Sequence, residues 1–533
     1  MNRLIRLLCP LLLLPATAGA AIILPAIIGD HAMLQAGKPI AIWGWAEPGA
    51  RITVGFAPQG ASAAAETFTA TTDAAGKWSG RLPALPAGSA GRLLITSDRD
   101  DPRTVEDVVV GEVWLGGGQS NMLYDLAATF GGDFTNPAEV AEITRNVGIA
   151  QQEAAAAPLP IRYFNVAHVG STQPADDVDG HWVQADMQNV PTFSAVAWDF
   201  AVALQGRLHV PVGLIVSCVG GAHIEVWMPV ATIRATPRGA VTLARYDAIR
   251  TTMILKVKAQ HETELRAWYA AHPTGGDLPV TDQTPTFPLV STESFRSLPE
   301  RLYNGMIHGL EPYTLRGILW FQADGDINTP EEYGDLFRAL IRRWRADWGD
   351  PLPFYFVEMN NYDDKQTKPV EPSNLALIRE AQHAGLQEPG VAMVAAIDVG
   401  VKNHHFPNKR PVAERLARLA LGACYHVPVG EVNGPLFQGW RIEGSQVRLS
   451  FADAGGLRVR GGGRLRGFAI RGAGGPWVWA DGVIAGSDIV VWSSRVPVPA
   501  AVRYAWASNP ITSVENAAGL PLYPFRTDTD SRE

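Results

Sequence analysis

An apolar run, Val108–Leu115, opens into three consecutive glycines, Gly116–Gly118, and then into Gln119-Ser120-Asn121-Met122. That junction constrains the 533-residue chain more than any other segment. A run rich in valine favours a strand, and glycine lets the backbone turn where a Cβ would clash. A serine presented there sits at the carboxyl edge of a sheet, where open α/β folds bind ligands. Ser120 is therefore a candidate nucleophile. The competing reading is a Gly-rich turn whose Ser-Asn pair only bonds to nearby backbone. Met122 stands where the Gly-x-Ser-x-Gly elbow needs glycine, so this is not that motif.

The surroundings alternate in type. Val212–Val216, Gly317–Phe321, Phe354–Val357 and Ala392–Ile397 are short apolar strand candidates. Glu331–Trp348 puts Tyr333, Leu336, Phe337, Leu340, Ile341, Trp344 and Trp348 on one helical face. Thr329 is placed to cap that helix, Pro330 to start it and Glu332 to close a capping box. Ala240–Ala271 reads as a second helix. Strands alternating with helices predict an α/β fold, a doubly wound, mainly parallel sheet with helices on both faces. The flanks differ. Pro39–Ala46, Arg51–Phe56 and Gly91–Ser97 are β-type runs between turns, as are Gln446–Phe451, Trp477–Trp479, Ile489–Trp492 and Val502–Trp506. The expected organisation is an N-terminal β-sandwich over 21–105, the α/β body over 106–427 and a C-terminal all-β module over 428–533. The Pro/Thr-rich stretch from about 272 to 298 reads as a surface excursion.

Residues 1–20 read as a signal peptide: Arg3 and Arg6, the apolar Leu7–Pro15, and Ala18-Gly19-Ala20 with cleavage expected after Ala20. A secreted or periplasmic protein follows. No other apolar run approaches the roughly 18 residues of a membrane span. The net charge is −8, and without a Lys/Arg cluster neither nucleic acid nor a membrane surface is an expected partner. Cys218 and Cys424 remain after the leader. They form no zinc spacing, and pairing between them is not expected.

A nucleophilic serine needs a base, normally histidine. His404-His405 follows a strand candidate and precedes a helix beginning near Pro411, which brings the pair to the sheet edge of Ser120. Acyl transfer also needs donors aimed at the oxyanion. Gly220 and Gly221 follow the Val212–Val216 strand, and Gln322 follows Gly317–Phe321. Asp324-x-Asp326-x-Asn328 looks like the opening of a calcium loop, but Thr329 and Asp335 occupy positions that such a loop gives to Gly and Glu. No metal or cofactor is expected.

Taken together, these segments resemble the sialate O-acetylesterase family of the SGNH-hydrolase superfamily. The likeness runs through Val113-Trp114 to Met122, Phe193-Ser194-Ala195-Val196, Val212-Gly213-Leu214-Ile215 and Gly220-Gly221 with Ile224-Glu225-Val226-Trp227. It continues through Leu302–Ile307, Leu319-Trp320-Phe321-Gln322 and Arg379-Glu380-Ala381-Gln382. The ends match too, at Leu34-Gln35 with Trp43-Gly44-Trp45 and at Gly519-Leu520-Pro521 with Phe525–Asp528. The resemblance implies an SGNH-like body and a secreted serine esterase that removes O-acetyl groups from carbohydrate, either O-acetylated sialic acid or a plant polysaccharide such as xyloglucan or xylan. It implies Ser120 as nucleophile, His405 as base, and Ser120 N–H, Gly220 and Gln322 as oxyanion contacts. Asn304, Glu225 and Arg379 are the matched polar side chains expected to bind substrate.

This chain departs from the family pattern. Trp-Tyr-Gln-Gly-Glu-Ser-Asn has become Trp320-Phe321-Gln322-Ala323-Asp324-Gly325-Asp326, His-Pro has become His405-Phe406, and Gly-Gly-Thr has become Gly-Gly-Ala at Ala222. The acid usually just before the histidine is missing, leaving Asp324, favoured, or Asp398 as third triad member, with Asn403 as an alternative orienter. Two other functions remain open: a carbohydrate-binding protein on a decayed esterase scaffold, and a metal-dependent hydrolase using His404, His405, Asp324 and Asp326.

Overall fold

The computed structural model describes residues 21–129, 134–157, 160–271 and 298–529. The leader expected at 1–20 and nearly all of the 272–298 excursion lie outside these residues. The body is a seven-strand path in the order Val391–Val394, Phe354–Val357, Gly317–Phe321, Arg103–Gly118, Val212–Cys218, Ile161–Asn165, Trp182–Gln184. Every neighbouring pair is parallel except the last. Strands earlier than Gly220 lie on one side of Arg103–Gly118 and later ones on the other. That strand is thus the topological switch, and the crevice beyond its carboxyl end is where such folds bind ligands.

Alternation along the strands divides the core. Ile318, Trp320 and Phe354 pack with Leu336, Leu340 and Trp344 of the helix Pro330–Trp348. Trp114, Leu214, Leu319 and Tyr355 face the helices Ala195–Leu208 and Arg410–Ala423. Helices cover both faces, as a parallel sheet requires.

Two expectations shift in detail. The first strand is 16 residues long, Arg103–Gly118, because its early part pairs antiparallel with Ala90–Ser97 while Glu112–Gly118 pairs parallel with Val212–Cys218. The residue 105 boundary therefore falls inside a strand shared by the N-terminal β segment and the body. The capping box at Thr329 does not form. Glu332 instead accepts from Thr242 Oγ1 at 2.7 Å and from Arg245 at 2.8 Å, since a charge-assisted bond to a guanidinium outcompetes a neutral amide.

After residue 430 the chain builds two four-stranded antiparallel sheets around their own core, including Val447, Leu449, Ile470, Val502 and Tyr504. Cys218 and Cys424 do not form a disulfide. No helix among the described residues is long and apolar enough to cross a membrane.

Candidate active site

Backbone demands explain the glycines before Ser120. Gly118 takes φ +133°, and a Cβ there would stand 2.2 Å from Phe321 O. The next residue uses that carbonyl: Gln119 N–H donates to Phe321 O at 3.0 Å. Gln119 Oε1 accepts from Gly325 N–H at 3.1 Å and Ala323 N–H at 3.4 Å, binding the loop after the neighbouring strand to the nucleophile turn. Ser120 opens the short helix Ser120–Leu123, closed by Tyr124 N–H to Ser120 O at 2.8 Å. Its own N–H belongs to the first turn, where amides have no intrahelical acceptor.

Gly220 lies across from it. Val219 N–H donates to Gly118 O at 3.3 Å, and a Cβ on Gly220 would stand 3.8 Å from Ser120 Cβ. Gln322 does something other than expected. It is fully buried, and its Nε2 donates to Ala222 O at 3.1 Å and to Asp326 Oδ2 at 2.5 Å, while Tyr333 OH donates to its Oε1 at 3.0 Å. With both amide hydrogens committed, Gln322 braces the Val219–Ala222 loop and has no N–H left for an oxyanion.

The histidine loop comes to the same edge. Asn121 Nδ2, beside Ser120, donates to His404 O at 3.2 Å, as does Asn360 Nδ2. The buried His405 ring packs on Tyr124 with centroids 4.4 Å apart and on His404 at 3.9 Å. Asn403 Oδ1 accepts from His405 N–H at 3.1 Å. Sequence reasoning gave no functional role to Lys409, which is 3 % exposed. Its Nζ donates to Asn121 Oδ1 and lies 3.6 Å from the Phe406 ring centroid and 5.7 Å from that of Tyr124. Burial holds its pKa well below the ordinary lysine value.

The two candidate acids separate. Asp324 sits on the turn that Gln119 holds, and its Oδ1 accepts from Tyr362 OH at 2.7 Å. The Tyr362 ring in turn lies 6.1 Å from that of His404. Asp398 is drawn elsewhere. Arg415 binds both its oxygens at 2.7 and 2.8 Å, and Arg460 of the C-terminal β region adds a contact at 2.8 Å. Burial opposes the Asp398 carboxylate, yet these guanidinium partners leave its pKa below the usual value.

The three residues expected to bind substrate are buried and bonded within the protein. Glu225 is fully buried, with Arg245 Nη2 donating to its Oε1 at 2.8 Å; burial and then the nearby Asp326 charge push its carboxyl up to about 8. Arg379, also fully buried, donates to Met359 O, Asn360 O and Ala507 O, each at 2.8 Å, and to Ser508 O at 2.9 Å. Asn304, 4 % exposed, donates to Ser171 O at 3.3 Å. Neither the calcium loop nor the His404-His405-Asp324-Asp326 metal set assembles. Asp326 turns to Ile224 N–H at 3.0 Å, to Gln322 and to His223 Nδ1 at 3.3 Å, while Asn328 Oδ1 accepts from Asn374 at 3.5 Å. His223, Glu225 and Asp326 gather instead, beside Arg245.

A serine at the end of the switch strand, faced by a glycine loop and reached by a histidine loop, is the arrangement of an α/β carboxylic ester hydrolase. Residues 291–421 match the family described as carbohydrate esterase, sialic acid-specific acetylesterase. The sialate O-acetylesterase of Mus musculus is 26% identical over 427 residues, spanning 74% of this chain and 72% of that protein. The Homo sapiens enzyme is 26% identical over 407 residues, spanning 72% and 66%. A solved structure, a carbohydrate acetylesterase from Xanthomonas citri, is 32% identical with a TM-score of 0.75, covering 96% of this chain and 100% of that one. The chain belongs to the sialate O-acetylesterase family.

Proposed function

We propose that this protein is a secreted serine esterase that hydrolyses O-acetyl groups on carbohydrate through an acetyl-Ser120 intermediate. Ser120 Oγ attacks the acetyl carbonyl as His405 takes the hydroxyl proton. The tetrahedral oxyanion is held by the N–H groups of Ser120 and Gly220, the geometry that makes such donors worth several kcal/mol. Collapse expels the sugar alkoxide, which receives the proton from His405. Water, deprotonated by His405, then attacks the acetyl-enzyme, releasing acetate and restoring Ser120. Asp324 is the carboxylate assigned to orient the imidazole, supported by its seat on the turn that Gln119 holds. The α/β body, about 106–427, carries this chemistry between β segments over 21–105 and 428–533. The leader over 1–20 supports export.

The observation that carries the reading is the pairing of Asn121 with His404 O together with the packing of His405 on Tyr124. It ties the base to the turn that begins at Ser120. The family name points to O-acetylated sialic acid, and relatives of this architecture point to xyloglucan or xylan. Acetate release from a panel of these acetylated glycans tests activity and substrate class together. Ser120→Ala is expected to cut kcat by at least about a thousandfold with an unchanged melting temperature. If that variant keeps wild-type turnover, the assignment fails. The same assay separates the alternative of a carbohydrate-binding protein on a decayed scaffold, which would bind these glycans and release no acetate.

A further inference from the structure

Lys409 is four residues beyond the proposed base and sits against both halves of the site. Its amine touches Asn121, next to Ser120, and the rings of Phe406 and Tyr124, the first adjacent to His405 in sequence and the second packed on its imidazole. Burying an ammonium against an amide oxygen and two rings is costly compared with leaving it in water, so a lysine kept here calls for a role that a hydrophobic residue would not fill.

Asn121 explains what that role is. Its Nδ2 donates to His404 O and to Asn360 Oδ1, both at 3.2 Å, and its Oδ1 is the atom that Lys409 reaches. A side-chain amide has one acceptor end and one donor end. A donor fixed on the oxygen end therefore dictates that the nitrogen end faces the histidine loop. Flipping the amide would set its oxygen against His404 O and Asn360 Oδ1, three acceptors together, and its N–H groups against Lys409.

We infer that Lys409 is a positioning residue for ester hydrolysis: by donating to Asn121 Oδ1 it locks that amide in the orientation that ties the histidine loop to the nucleophile turn. The Phe406 ring, standing where the family has proline, covers the amine and keeps water from replacing the bond. Loss of the donor leaves a buried, unsatisfied Oδ1, and the amide rotates to find another partner. His405 then drifts relative to Ser120, which lowers turnover more than substrate binding. The inference rests on Ser120 and His405 as the working pair.

Lys409→Met, which keeps the stem and removes the donor, tests it on the full-length protein with 4-nitrophenyl acetate. The expected result is a kcat lower by about 10- to 100-fold, as for a displacement of about 1 Å, with KM changed by less than about twofold. Lys409→Gln, which restores a donor, should recover part of the loss. The double variant N121A/K409M should be no slower than N121A alone, because the lysine acts only through the Asn121 amide. Wild-type kcat in K409M, equal losses in folded K409M and K409Q, or multiplying losses in the double variant would overturn the inference. If K409M does not fold, the cycle is run with K409Q and N121A, and the same non-additivity decides. Ser120→Ala separates the two levels: a dead S120A beside a fully active K409M refutes the lysine's role alone, whereas an active S120A refutes the site.

Discussion

Asp398→Asn discriminates between a structural and a catalytic carboxylate. In the native protein Asp398 is bound on both oxygens by Arg415 and on one by Arg460, with side-chain exposures of 7%, 12% and 35%. Removing one member of a buried pair usually costs about 3–5 kcal/mol because the partner charge stays buried. Here Asn keeps one acceptor oxygen and Arg460 can reach solvent, so about 2–4 kcal/mol is expected. That corresponds to a melting temperature lower by on the order of 2–6 °C. The effect depends on pH with a defined sign. The native pKa of Asp398 lies below its unfolded value, so its stabilisation is present above about pH 4, the ordinary aspartate range. It is lost as pH falls through the native value. Differential scanning calorimetry from pH 7 to pH 3 should therefore show the wild-type and D398N melting temperatures converging in acid. Acetate release below both melting temperatures should be unchanged. An unaltered melting temperature with lost turnover would refute the reasoning and make Asp398 the triad acid after all.

Gly118→Ala should destabilise the fold by more than about 2 kcal/mol, since its φ is +133° and the new methyl meets Phe321 O; wild-type thermal stability in that variant would contradict the geometry. Glu225→Gln should flatten the alkaline side of the stability profile. The native carboxyl is raised to about 8, so the native state keeps a proton that the unfolded chain releases from about pH 4.3 upward, and wild-type stability declines between those values. Melting curves of wild type and E225Q that run parallel from pH 5 to 8 would count against this.

Local signals carried far in some places and not in others. The strands Gly317–Phe321 and Phe354–Val357 end where expected, because Pro351, Pro353 and the polar Gln322 bound them. The helix Ala195–Leu208 went unread. Nine of its residues are buried, so it is apolar around much of its circumference and shows no 3.6-residue stripe. The placement of Ser120 and Gly220 at neighbouring strand ends was legible because glycine and serine there have a backbone reason to be present. The internal bonding of the buried Glu225, Arg379 and Gln322 was not legible, because in sequence a polar side chain bonded within the core looks the same as one that meets a ligand. Lys409 was given no role of its own because lysine is nearly always solvated, and only packing reveals that this one is not.

The four carbonyls gathered by Arg379 carry a consequence for folding. Two belong to Met359 and Asn360, on the loop that leads to Tyr362, and two to Ala507 and Ser508, just after the strand Ala501–Tyr504. The guanidinium has its full set of acceptors only when residues nearly 150 positions apart have met, so the loop that leads to Tyr362 is braced by a segment far from it in the chain. Without the Ala507–Ser508 segment the buried cation keeps only two of its four carbonyl acceptors, so the Met359–Tyr362 loop would lose half of what holds it in place.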